Sequence, residues 1–344
     1  MPNPFISLCM IVKNEEHFME QCLNSVHDFV DEIIIVDTGS TDKTKEICQK
    51  FNVNLYSFKW QDHFAEARNF GVSKAKGEWI FWIDADEKVE TEKLEMLKER
   101  LEKTKADMIF LPVINYYGET LPVQENQGFI YYQPRLFRNR KGIRFYNRIH
   151  ETPMFPEKAQ KDSIEIIETP IHHYGYIKEV TDRLEKSKRN LRLLQMEMQN
   201  PNHSPWIEYH LANELYQLKN YEAALDHVNE SIFSFLLNGI KPPALLYRLK
   251  YAILLEANSL KEAEQGIEKA LQLYPDYVDL HFIKGLLLFH RKQYKEALQS
   301  FEKCLELGEV HPEYLVTKGF GSDAALHYKT LCLEKIEQLR EKAE

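Results

Sequence analysis

Gly77-Glu78-Trp79-Ile80-Phe81-Trp82-Ile83-Asp84-Ala85-Asp86 decides how this chain is read. An apolar run from Trp79 to Ile83 follows a glycine stop and ends in two carboxylates one residue apart. A short apolar run bounded by turn-formers is a buried strand. Its carboxyl end is where open α/β sheets bind ligands, so Asp84 and Asp86 fall at a binding edge. Two acids there can hold a divalent cation against a diphosphate, because hard cations prefer oxygen and Mg²⁺ sites commonly join carboxylates to substrate phosphates. Asp-X-Asp alone is a weak signal, since it also occurs on solvated strand ends.

The segments before it alternate. Ile6–Val12 reads as a strand, Glu15–Val26 as a helix and Glu32–Val36 as a strand covered on both faces. Thr41–Phe51 reads as a helix, Asn54–Phe58 as a strand and Phe64–Lys74 as a helix that stops before Gly77. Strand–helix alternation predicts an α/β domain with a mostly parallel sheet and right-handed crossovers. From Thr91 to Tyr176 the pattern is irregular and rich in proline, with strands expected at Ala106–Ile114 and Ile130–Phe137. This stretch is read as the substrate-facing half of the domain.

Beyond Tyr176 the chain becomes helical and repetitive. Tyr221-Glu222-Ala223-Ala224-Leu225, Leu260-Lys261-Glu262-Ala263-Glu264 and Tyr294-Lys295-Glu296-Ala297-Leu298 share one signature. The second and third lie 34 residues apart, the tetratricopeptide period. The first and second lie 39 apart, which fits an insertion around Phe235–Pro243. Helix pairs of this kind stack into a solenoid with a concave surface. A last capping helix is expected after Gly319-Phe320-Gly321-Ser322-Asp323. The expected domains are residues 1–180, α/β, and 181–344, all-α.

Bulk properties narrow the function. A net charge of −9 over 344 residues argues against a general nucleic-acid binder. No apolar run approaches the roughly 18 residues a bilayer span requires. Met1-Pro2-Asn3-Pro4-Phe5 has no basic leader, and the 5 scattered cysteines lack C-x-x-C spacing. A cytoplasmic protein with reduced thiols and no transmembrane segment is expected.

Further polar residues gather at the expected edge. Met10-Ile11-Val12-Lys13-Asn14-Glu15-Glu16 carries polar groups past the first strand. In Val36-Asp37-Thr38-Gly39-Ser40-Thr41-Asp42, Ser40 or Thr41 can cap the next helix, and Asp37 can accept a uracil N–H or a ribose hydroxyl. Arg68, in Ala67-Arg68-Asn69, presents a planar cationic fork for a phosphate or nucleoside. Arg148-Ile149-His150-Glu151 offers a general base in Glu151. Ile171-His172-His173-Tyr174-Gly175-Tyr176 offers an imidazole.

These motifs, in this order, resemble the family 2 inverting glycosyltransferases of GT-A fold. With the tetratricopeptide-like repeats attached, the chain is similar to the branch that includes sublancin-type peptide S-glycosyltransferases. The resemblance implies a Rossmann-like GT-A domain followed by a helical-repeat solenoid. It implies a nucleotide-sugar donor, a UDP-sugar, bound by Val12, Asn14, Glu15, Asp37, Arg68, Asp84 and Ala85. It implies Mg²⁺ or Mn²⁺ on Asp86 and His173, and Glu151 as the base that deprotonates an acceptor hydroxyl or thiol. Family members often carry the base in a Glu-Asp pair, and none occurs between Asp86 and His173, so Asp162 and His150 stand as alternatives. The acceptor is a peptide or a glycan, and the repeats also suit a homodimer. Two other readings compete. A sugar-nucleotide nucleotidyltransferase needs a glycine-rich loop after the first strand, where Val12-Lys13-Asn14-Glu15-Glu16 has no glycine. A non-catalytic tetratricopeptide scaffold has no need of both Asp84 and Asp86.

Overall fold

The structure is a computed structural model that describes residues 4–156, 163–183 and 186–342. The chain divides into two compact units, Met1–Gln127 with Tyr131–Lys186 and Gly128–Ile130 with Ser187–Glu344.

The first unit opens with β1 (Ile6–Val12), α1 (Met19–Val26), β2 (Glu32–Asp37), α2 (Thr44–Cys48), β3 (Asn54–Ser57), α3 (Phe64–Lys74) and β4 (Trp79–Trp82). It continues with β5 (Glu87–Val89), α4 (Leu94–Lys103), β6 (Met108–Gly118), β7 (Gly128–Arg138), β8 (Arg144–Tyr146) and β9 (Thr152–Met154). β10 (Ile164–Ile166), β11 (Ile171–Ile177) and α5 (Lys178–Arg183) follow. The main sheet runs β3-β2-β1-β4-β7-β6-β11-β5, with β10 beside β6. β3, β2, β1 and β4 are mutually parallel, as the strand–helix alternation predicts. β7 turns antiparallel against β4, and β11 returns parallel to β6. β8 and β9 form a separate ribbon.

Period-2 alternation explains why the central strands are apolar throughout. Leu8, Met10, Ile33, Ile35, Trp79 and Phe81 point to one face, where Met19, Cys22, Leu23 and Val26 of α1 cover them. Cys9, Ile34, Ile80 and Trp82 point to the other, against Ala65 of α3, Phe137 and Phe145. Each such fully buried large side chain contributes about 1.5–3 kcal/mol. Gly77 is needed where α3 hands over to β4. A Cβ there would lie 2.6 Å from the Ser7 backbone nitrogen, and the Gly77 N–H itself donates to Ser7 Oγ at 2.8 Å.

Two helices are shorter than the sequence suggests. α1 begins at Met19 because Glu15 and Glu16 are taken up by the neighbouring loop: their N–H groups donate to Thr44 Oγ1 and Asp42 Oδ2. α2 begins at Thr44, whose N–H donates to Asp42 Oδ1, so neither Ser40 nor Thr41 caps it. Residues 94–103, read as irregular, form α4, with Leu94, Leu97 and Leu101 buried at helical spacing.

The second unit carries α6 (Lys186–Met198) after its first residue, then α7 (Pro205–Gln217), α8 (Tyr221–Leu237), α9 (Ala244–Glu256), α10 (Leu260–Leu273), α11 (Val278–His290) and α12 (Tyr294–Leu307). A two-residue strand, β12 (Val316–Thr317), precedes α13 (Asp323–Glu341). Each signature segment starts the second helix of a pair. Two residues before each start stands a left-handed residue, Lys219 (φ 60°), Asn258 (φ 57°) or Lys292 (φ 63°). Three residues after it stands a fully buried alanine, Ala224, Ala263 or Ala297, which lets the paired helices approach closely. A GT-A-type α/β domain followed by a tetratricopeptide-like helical region is therefore the architecture. All 5 cysteines are buried and unbridged. No helix among the described residues is long and apolar enough to cross a membrane.

Candidate active site

Parallel pairing puts the carboxyl ends of β1, β2 and β4 on one edge, and three loops leave from there. The first two are bonded into one another. Asn14 takes a left-handed backbone (φ 58°); its N–H donates to Ser40 Oγ, and its Oδ1 accepts from Thr41 N–H at 2.8 Å. The Val12 carbonyl accepts from both the N–H and the hydroxyl of Thr38. Asp37 is 2% exposed. Its carboxylate accepts from Ser40 N–H at 3.0 Å and Gly39 N–H at 3.3 Å, and pairs with Lys45 at 3.2 Å. It therefore shapes the turn it belongs to, a role not seen in the sequence.

The second group is built on α3. Asn69 clasps β8 in both directions, donating to the Phe145 carbonyl at 2.9 Å and accepting from its N–H at 3.0 Å. Phe64 N–H donates to the Arg148 carbonyl, and Arg148 Nη1 donates to the Asp62 carbonyl. These bonds fix the turn after β8, where Asn147 (φ 72°) and His150 (φ 53°) are left-handed. Glu151 is thereby delivered to Arg68. Arg68 Nε donates to Glu151 Oε1 at 2.5 Å and Arg68 Nη2 to Asp84 Oδ1 at 2.7 Å. The guanidinium lies 4.5 Å from the ring centre of Trp82, which holds it in plane. Glu151 Oε2 has no hydrogen-bond partner among the described residues.

Below this pair sits a fully buried one. Arg135 Nη2 donates to Glu87 Oε1 at 2.5 Å, and Arg135 stacks 4.1 Å from the Trp82 ring centre. Glu87 Oε2 accepts the Asp84 N–H and orders the strand end. Burial pushes the Glu87 carboxyl up against the pull of Arg135. The Asp84 carboxyl stays low because Arg68, and then Arg135, outweigh its burial.

The third group gathers around Asp86, which is 5% exposed. Asp86 Oδ1 lies 3.5 Å from His173 Nε2, and Asp86 Oδ2 accepts from Lys186 Nζ at 2.7 Å. Burial alone would raise the Asp86 carboxyl; Lys186 and then His173 hold it well below the usual carboxylate range. Asn115 fixes the imidazole. Its Nδ2 donates to the Val113 carbonyl, so its Oδ1 faces His173 Nδ1 at 2.8 Å and accepts that N–H. A neutral imidazole holding that N–H would carry its lone pair on Nε2, available to a cation beside Asp86. The thiol of Cys22 shows how many acids converge here. It is pushed far up by burial, then by Glu87, Asp86, Asp84 and Glu15.

Arg68, Asp84 and Glu151 thus meet, as do Asp86 and His173, while Ala85 is buried between the two acids. Asp162 lies outside the described residues. His150 is carried in the turn that presents Glu151. Glu87, Asn115 and Lys186 were not read from the sequence, and Arg135 was read only as part of a cleft-lining segment, with no role. Glu87 stands directly after Asp86 and offered a signal; Lys186, 100 residues along the chain, offered none.

The sheet order and this edge define an α/β domain whose strand ends carry a polar loop cluster. Residues 7–159 match the profile of Glycosyl transferase family 2. A TPR repeat-containing protein of Synechococcus elongatus is 32% identical over 284 residues, which cover 78% of this chain and 64% of that protein. The SPbeta prophage-derived glycosyltransferase SunS of Bacillus subtilis is 29% identical over 296 residues, 83% of this chain and 67% of that protein. The chain thus spans about two-thirds of the length of these relatives. Among solved structures, S. aureus TarS 1–349 in complex with UDP-GlcNAc aligns with a TM-score of 0.43 and 14% identity, covering 77% of this chain and 92% of that one.

A divalent cation, which the resemblance implies, fits the donors present. Among the described residues no three His, Cys, Asp or Glu side chains converge as a closed metal site. Asp86 and His173 supply one carboxylate and one imidazole, and Asn115 at Nδ1 leaves Nε2 facing Asp86. An open two-ligand site suits a cation that completes its shell with phosphate oxygens and water.

Proposed function

We propose that this chain is an inverting glycosyltransferase that moves a sugar from a UDP-sugar to a hydroxyl or thiol of a peptide. The observation that carries this reading is the bridge from Arg68 to Asp84 and Glu151, next in the chain to the Asp86–His173 pair. Asp37, Val12, Asn14 and Glu15 line the nucleoside side, Ala85 with Asp84 and Arg68 the ribose and phosphates, and Asp86 with His173 hold Mg²⁺ or Mn²⁺. When bound, the cation neutralises charge on the leaving diphosphate. Glu151 Oε2 takes the proton from the acceptor O–H or S–H. The freed oxygen or sulfur attacks the anomeric carbon from the side opposite the diphosphate. The bond from that carbon to the diphosphate oxygen breaks, its electron pair leaves with the nucleoside diphosphate, and the configuration inverts. Arg68 contributes by fixing Glu151 through Oε1 and supplying positive charge near the diphosphate. The tetratricopeptide-like helices favour a peptide as acceptor, because such repeats present extended concave surfaces. The five unbridged thiols suit a reducing cytoplasm.

Thermal shift with UDP, with and without Mn²⁺, tests the reading, followed by hydrolysis of a panel of UDP- and GDP-sugars. UDP is expected to raise Tm only when Mn²⁺ is present, and one UDP-sugar to be hydrolysed. No stabilisation by any nucleotide, with or without Mn²⁺, sinks it.

A further inference from the structure

Three groups converge over Gly175. A Cβ at that glycine would lie 2.4 Å from Asp86 Oδ2, 2.4 Å from His173 Nε2 and 2.8 Å from Lys186 Nζ. The three side chains thus close over Gly175, which leaves no space for a Cβ, and an ammonium already stands beside Asp86. Lys186 Nζ also reaches the Gly175 carbonyl at 3.5 Å and is 19% exposed. We propose that Lys186 and the divalent cation compete for Asp86, so that cation and nucleotide-sugar load together. This rests on the cation role given above to Asp86 and His173.

Two positive charges about 3 Å apart in a site this dry repel strongly, so the lysine must leave when the cation arrives. A cation arriving alone breaks the Lys186–Asp86 pair and receives one carboxylate and one imidazole in return. A cation arriving with a diphosphate brings anionic oxygens of its own. Those oxygens complete the cation's shell and give the displaced ammonium a new partner. The lysine's four-carbon stem allows this move without a change in the backbone. Donor and cation therefore help each other bind, and the coupling resides in one side chain.

Mn²⁺ titration of the full chain, read from the EPR signal of the free ion, tests this with and without UDP. The wild type is expected to bind Mn²⁺ weakly alone and tightly with UDP. Lys186→Met should bind Mn²⁺ alone about tenfold or more tightly than the wild type, and its dependence on UDP should shrink by the same factor. Lys186→Gln should behave as Lys186→Met does, and a far-UV spectrum like that of the wild type shows that either variant is folded. Lys186→Arg, which keeps the positive charge, should stay near the wild type. If Lys186→Met and Lys186→Gln bind Mn²⁺ alone no tighter than the wild type while UDP still promotes binding, the competition is overturned and the cation role stands. If no chain binds Mn²⁺ even with UDP, both fall.

Discussion

In the helical unit, Arg248 Nε meets Asp279 Oδ2 at 2.7 Å and Arg248 Nη2 meets Thr317 Oγ1 at 3.0 Å. Thr317 closes the circle, donating its N–H and its hydroxyl to the two oxygens of Asp279. Both Asp279 oxygens are used, and the side chain is 1% exposed. At the sheet edge Arg68 is buried too, but it faces two carboxylates, one of which keeps a free oxygen while the other, Asp84, is 33% exposed. The first network joins α9, α11 and β12 and leaves neither carboxylate oxygen over for a ligand. The second holds excess negative charge and open acceptor positions, which is what a binding site for a cation and a diphosphate needs. Buried ion pairs are weak evidence of stability in general, so the useful distinction is whether a network is closed.

Substituting Arg68 should break this contrast most severely. Arg68→Met leaves Glu151, 9% exposed, and Asp84 without the cation that joins them, with Arg135 alone still acting on Asp84. A loss of about 3–5 kcal/mol is expected from denaturant unfolding of the first unit, together with donor hydrolysis. An unchanged midpoint would mean that water already compensates these acids. Asp86→Ala should lower donor hydrolysis by about 10²–10³-fold, with far-UV circular dichroism unchanged; full activity would remove Asp86 from the site. Arg248→Met should cost the helical unit about 2–3 kcal/mol, less than a bare charge would, because Thr317 still donates twice to Asp279. UDP binding should be retained in this variant, and its loss would show that the closed network also serves the site.

The smallest expected effect is a pH dependence in the helical unit. Glu208 accepts from His227 Nδ1 at 2.6 Å and faces His203 Nε2 at 3.2 Å. The hydrogen bond to Glu208 raises His227 above its ordinary 6.5. Burial alone would raise Glu208, but His227 and then His203 pull it below its ordinary 4.5. The raised imidazole stabilises the fold fully below about pH 6.5 and loses that contribution as pH climbs through its folded value. The lowered carboxyl contributes above about pH 4.5 and loses it as pH falls through its folded value. Stability of this unit should therefore crest between those limits. His227→Gln should flatten the alkaline side by less than about 1 kcal/mol, since the imidazole is 31% exposed. A curve unchanged by this substitution would leave His227 without a part in it.

The sequence by itself determined the alternation of strands and helices at the amino end, the edge that carries Asp84 and Asp86, and the repeat of helix pairs. These follow from short-range periodicity: Ile33, Ile34 and Ile35 alternate between the two faces of the sheet, and Ala224, Ala263 and Ala297 recur at one position of a fixed unit. Motif spacing also made Arg68, Glu151 and His173 candidates. α4 was legible in Leu94, Leu97 and Leu101, but prolines and glycines further along the same stretch masked it. Only the tertiary structure decided which charges meet. Asp37 shapes its own turn, Glu87 pairs with Arg135, and Asp86 pairs with a lysine 100 residues away. Periodicity encodes the face a side chain takes, whereas its partner depends on how β11 and the first residue of α6 return to β4, and no local pattern records that distance.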